Sequence, residues 1–132
     1  MIFTLFLAIA SCLVDLQGNW TNNKGTIVEF YQMGNGDLDG HFTSTMTSEK
    51  PLRFWLYGHV AAYENNPTMY FGVTFNCFVY KTCGNAASPS AAWSGLVIND
   101  TIYATMIFTS SRNSTSQLWS VTTVGFDVFE RQ

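Results

Sequence analysis

Charge is scarce in this chain: Asp, Glu, Lys and Arg make up 11% of its 132 residues, with a formal net charge of −3. The six Lys and Arg are scattered and build no electropositive face, which argues against nucleic acid or an anionic membrane as a partner. The most apolar stretch, Met1 to Cys12, is too short to span a bilayer. No segment after residue 12 carries a helical period. Cysteines number three, without a Cys-x-x-Cys pair, and His41 and His59 stand alone, so no metal ion is expected. Both histidines read as surface or hydrogen-bonded strand residues. There is no Gly-x-Ser-x-Gly elbow and no triad-like neighbourhood around either histidine. The acids fall mostly at expected turns, where solvation explains them better than paired glycosidase-type work. The chain reads as a non-enzyme.

The start of the chain has its own logic. Ala8-Ile9-Ala10 has the small-x-small form of a signal-peptidase site, so residues 1–11 read as the end of a secretory signal, although it lacks the basic stretch such signals carry. The string Ile9-Ala-Ser-Cys12 also suits a lipid-modified cysteine, an alternative reading of the same residues. Three glycosylation sequons begin at Asn19, Asn99 and Asn113 and favour an extracellular, secreted glycoprotein. Residues 12–132 are then one domain, long enough for a single core.

What the chain does have is aromatic residues, 16% of the total, set in short β-rich runs. Strands are expected near 18–22, 26–33, 38–46, 51–60, 69–80, 91–98, 102–109 and 117–129, separated by Gly, Asn, Asp, Ser and Pro. Gly34-Asn-Gly36-Asp37 and Asn99-Asp100 are tight hairpin signals. Eight strands on mostly short connections predict an all-β, eight-stranded antiparallel up-and-down β-barrel. Closure also removes exposed edges, which a chain so poor in charge is ill equipped to protect. Such a barrel holds only side chains or one small ligand inside, so a site is expected within one mouth.

Gly18-x-Trp20 opens two barrel families. Lipocalins, the apolar-ligand carriers, add a helix after the eighth strand, whereas here "VGFDVFERQ" still reads as strand. Four patches, "GNWTNNKGT", "GDLDGHFTS", "AAWSG" and "LWSVTTVGFDVFER", resemble in order and spacing the avidin and streptavidin family, from Leu16 to Arg131. The resemblance implies non-covalent binding of biotin, as a ligand and not a cofactor, by a homotetramer. It places Asn22 and Thr26 at the ureido oxygen, with Phe42 where the family has a tyrosine donor, and Ser44 and Asp127 at the ureido N–H groups. By chemistry, Asn offers an amide N–H, Thr a hydroxyl and Asp an acceptor, while Phe42 offers nothing polar.

The resemblance also implies departures. Trp93 and Trp119 match two aromatic wall positions, Trp119 reaching into a neighbouring subunit's site. Two further tryptophan positions fall on Cys77 and Met106, and Phe108 stands where leucine is usual. A plain core role for Trp93, Met106 and Phe108 competes with a ligand wall, and in a small barrel the two can be one surface. Near the thioether and tail, Pro89 and Ala91 replace hydroxyl residues, leaving Ser88 or Ser90 as substitutes. Cys12 matches a family cysteine whose partner position is Val97, so Cys12 is expected unbridged; Cys77 and Cys83 are either paired or free.

These departures imply weaker binding. The tightest biotin complexes lie near −18 to −21 kcal/mol. A lost donor costs about 1–3 kcal/mol and each truncated tryptophan about 3–5, for a total of roughly 5–12 after refilling. Biotin affinity is thus expected in the nanomolar to micromolar range. The alternative is an avidin-like structural or oligomerising module that has lost biotin or takes another small ligand.

Overall fold

The computed structural model describes residues 14–44, 52–75, 89–109 and 122–132. Eight strands follow one another: β1 (Gly18–Thr21), β2 (Ile27–Gln32), β3 (Asp37–Ser44), β4 (Leu52–Val60), β5 (Thr68–Thr74), β6 (Ser90–Ile98), β7 (Thr101–Thr109) and β8 (Thr122–Arg131). Each pairs antiparallel with its chain neighbour, and β8 closes on β1 through Trp20↔Arg131 and Thr21↔Glu130. The architecture is the expected up-and-down barrel, and no helix occurs among the described residues. Accordingly, no helix there is long and apolar enough to cross a membrane.

Alternation in the sequence sets which residues face inward. Along β6, Ala91, Trp93 and Val97 are buried while Ser90, Ala92, Ser94 and Leu96 are exposed. Along β5 the inward set is Met69, Phe71 and Val73, and along β3 it is Leu38, Gly40 and Phe42. Phe30, Phe71 and Phe129 meet in the middle, with ring centroids 5.4 and 6.0 Å apart around Phe71. Burying each such ring contributes about 1.5–3 kcal/mol. Gly40 is needed where β2 and β3 approach: its φ is +156°, and a Cβ there would lie 1.8 Å from the Glu29 carbonyl oxygen.

The turns follow their chemistry. Asn99 and Asp100 both adopt positive φ, 44° and 54°, and join β6 to β7 as a two-residue hairpin whose twist matches the strands. Strand limits differ from the sequence-based ones by a residue or two at most ends. The expected 69–80 strand ends at Thr74; residues 45–46, 51, 76–80 and 117–121 of four expected strands lie outside the described residues.

One barrel end is plugged. Trp20, fully buried, donates its indole N–H to the Leu16 carbonyl at 2.9 Å, and the Arg131 guanidinium lies 4.4 Å above its ring. Arg131 also donates to the carbonyls of Gln17 and Asp15 at 2.8 and 2.6 Å and to Asp100 at 3.1 Å. This knot holds residues 15–17 against that end of the barrel.

Candidate functional site

The β1–β2 turn is shaped by one side chain. The Asn22 amide oxygen accepts the backbone N–H groups of Lys24 and Thr26, both at 3.0 Å. Gly25, at φ +81°, completes a turn that L side chains adopt only under strain. With its oxygen committed to the backbone, the amide is fixed with Nδ2 toward the barrel, where it donates to Asp127 Oδ1 at 3.2 Å. Strand β8 delivers Asp127 on the inward side, between exposed Phe126 and Val128.

Asp127 is the centre of the cluster. Its Oδ2 accepts the Trp93 indole N–H at 2.8 Å, and its Oδ1 also accepts the Lys24 ammonium at 3.1 Å. The carboxylate is 5% exposed, whereas the Lys24 side chain is 45% exposed. Burying a carboxylate without such partners would carry a large desolvation cost. Among the described residues no buried side-chain nitrogen or oxygen lacks a hydrogen bond.

Aromatic walls adjoin the polar cluster. The Trp93 ring stacks on Phe71 at 4.7 Å and tilts against Phe42 at 5.1 Å. Phe42 meets Phe75 edge-on at 5.6 Å, and Phe75 in turn meets Phe54 at 4.9 Å and Phe108 at 6.1 Å. Met106 pairs across the sheet with Trp93, and Phe108 with Ala91; both are half-buried against the core.

The candidate residues divide by position. Asn22, Thr26 and Asp127 are buried at one end of the barrel, with Phe42 and Trp93 beneath and Met106 and Phe108 beside them. Ser44 is half-buried on the inward side of β3 at the same end. Ser90 does not join them. It is exposed, one residue out of step with Ala91 and Trp93, and borders an outer groove with Trp55, Tyr57 and Thr74. Cys77, Ser88, Trp119, Cys12 and Cys83 lie outside the described residues.

Two residues emerge only in the structure. Lys24 reaches Asp127 across 103 positions of sequence. Phe75 links Phe42, Phe54 and Phe108, a position signalled by the period-2 run Met69, Phe71, Val73, Phe75. A separate cleft of about 570 Å³ lies at the plugged end, lined by Leu16, Trp20, Pro67, Asp100 and Arg131 among others, and holds none of the candidate residues.

Among the described residues, the titratable groups with displaced pKa values, Glu29, Tyr31 and Asp37, lie on the outer surface. Hydrogen bonds from Tyr31 first, then His41, hold the Glu29 carboxyl below its usual range, and the Glu29 contact raises Tyr31. A hydrogen bond from His59, then one from Asn35, lowers Asp37.

Comparison with known proteins agrees with the barrel fold. The crystal structure of Xenavidin superposes with a TM-score of 0.71, covering 89% of this chain and 98% of that one at 21% identity, a likeness of fold. No curated protein sequence matches the chain. The model of the avidin family matches residues 10–132, nearly the whole length, and the chain belongs to that family.

Proposed function

We propose that this protein binds biotin, or a small molecule with a similar cyclic urea, non-covalently at the Asn22–Asp127 end of the barrel. One observation carries the reading: a buried carboxylate, Asp127, held in place by Asn22 and Trp93 beside an aromatic wall. In this reading Asn22 and Thr26 donate to the ureido oxygen, and Ser44 and Asp127 accept its N–H groups. Trp93, Met106 and Phe108 flank the rings, with Cys77 and Trp119 as further members of the site and Phe75 added. Phe42 supplies no third donor, which supports weaker binding than avidins typically show.

Assembly is proposed as a homotetramer of a secreted, non-enzymatic glycoprotein, with Trp119 contributing to a neighbour's site. Supporting it, the outer face of β7 and β8 exposes Tyr103, Ile107, Val124, Phe126 and Val128, with Phe126 80% exposed. Contiguous apolar surface of this kind is characteristic of a buried interface. Asn19 and Asn99, two of the sequon acceptors, are exposed.

A second reading is an avidin-like module without biotin. The linked rings of Phe42, Phe54, Phe75 and Phe108 favour it, since they fill space at the same end as the polar cluster. Retention on biotin-agarose with elution by free biotin separates the two. Retention supports the first reading, and passage through the column at high protein concentration supports the second.

A further inference from the structure

The three donors on Asp127 are not equivalent. Asn22 and Trp93 are buried, whereas the Lys24 side chain is 45% exposed and approaches the same carboxylate from the solvent side. A carboxylate offers about four acceptor positions, and described residues take three of them here. Of these three donors only Lys24 has a largely exposed side chain, so a ligand N–H that comes to Oδ1 from solvent competes with its ammonium.

We propose that Lys24 is a specificity-determining residue: its ammonium occupies the mouth-facing acceptor position of Asp127 and must leave before a neutral ligand N–H can use it. The proposal rests on the reading of Asp127 as a ligand acceptor. The exchange replaces a charge-assisted hydrogen bond by a neutral one, so a urea-type donor binds against a standing competitor. Lys24 leaves at modest cost because its head is half in water and sits on a turn, Asn22 to Thr26, that its own side chain does not hold together. A ligand that donates nothing to Asp127 meets no such competitor. Lys24 thus selects by donor strength at a single oxygen.

Salt gives the exchange a signature. Screening weakens a half-exposed ion pair more than a buried neutral hydrogen bond, so ligand affinity should rise with ionic strength. Ordinary electrostatic attraction of a ligand would give the opposite slope.

The test uses biotin amide, which lacks a carboxylate, with wild type, Lys24→Met and Lys24→Gln at low and high ionic strength, by calorimetry. Lysine side-chain NMR follows Lys24 directly, since the chain has lysines only at 24, 50 and 81. The expected result is roughly threefold to thirtyfold tighter binding in both variants, with the wild-type salt dependence flattened. The Lys24 ammonium signal should shift as biotin amide is added to wild type. Equal or weaker binding by both variants, or an unmoved Lys24 signal at saturation, overturns the role of Lys24 and leaves the biotin reading standing. Binding by the variants alone supports it. Silence of all three proteins overturns the biotin reading and the role of Lys24 together.

Discussion

Asn22 donates to Asp127 at 3.2 Å across 105 residues of sequence, tying the first turn of the barrel to its last strand. The same amide holds the turn through two backbone N–H groups, so one side chain carries both local and long-range order. Asn22→Ala should therefore cost stability as well as ligand. Losing acceptors for buried N–H groups and a donor to a buried carboxylate costs about 1–3 kcal/mol. Urea unfolding of the variant checks it, and a change within error of zero would mean that solvent replaces these bonds.

The proposed pocket predicts opposite effects for two substitutions. Phe42→Tyr adds a hydroxyl to a ring already packed between Trp93 and Phe75. If that hydroxyl reaches the ureido oxygen, biotin affinity rises by roughly threefold to a hundredfold, mainly through slower dissociation. Asp127→Ala should lower affinity by more, since a ligand N–H is then buried unpaired. Calorimetry on both variants decides; unchanged binding in the pair would leave only the fold in common with biotin binders.

At the plugged end, Trp20→Phe should destabilise without touching the ligand. The change removes the indole N–H from a buried carbonyl and weakens the seat of Arg131, for a loss of about 1–3 kcal/mol. Thermal melting should show the loss while biotin affinity stays at the wild-type value. An affinity change would connect the two barrel ends in a way the geometry does not anticipate.

Much of the fold was legible because strand alternation and turn residues act over a few positions. The Asn99-Asp100 hairpin and the strand near 91–98 read directly from the chain. The polar cluster was legible only in part. Asn22, Thr26, Ser44 and Asp127 are separated by long stretches, and their grouping came from resemblance to a family. Lys24 was missed because a lysine in a polar turn looks solvated; only barrel closure brings Asp127 within its reach. Ser90 lies on the outer face, since a one-residue offset on a strand reverses the face that a side chain occupies.

The outer carboxylate Asp37 predicts a pH dependence of defined sign. Its pKa is lowered from 3.8 by hydrogen bonds from His59 and Asn35. In the unfolded chain Asp37 takes up a proton at the higher, ordinary value, so the pair stabilises the fold above that pH. The contribution is lost as pH falls through the lower folded value. Asp37→Asn should thus be less stable than wild type near neutrality, with the gap closing in acid. Urea midpoints measured across that range test it, and a gap that widens toward acid would contradict the assignment.

The last prediction concerns assembly. On the outer face, Tyr103 sits opposite Val128, Ile107 opposite Val124, and Phe126 opposite Thr105, placing apolar side chains side by side across β7 and β8. In a lone barrel these side chains face water; in a tetramer each gains up to about 1.5–3 kcal/mol by burial. Phe126→Glu would place a charge in the middle of that face, where desolvation opposes association. The adjacent inward Asp127 keeps its own partners, so the barrel should remain folded. Sedimentation velocity should give a tetramer for wild type and a smaller species for Phe126→Glu. Met33→Ser serves as the control, altering an exposed apolar residue at the β2–β3 turn. A Phe126→Glu protein that remains tetrameric places the interface elsewhere, and a monomeric wild type at micromolar concentration removes Trp119 from the proposed site.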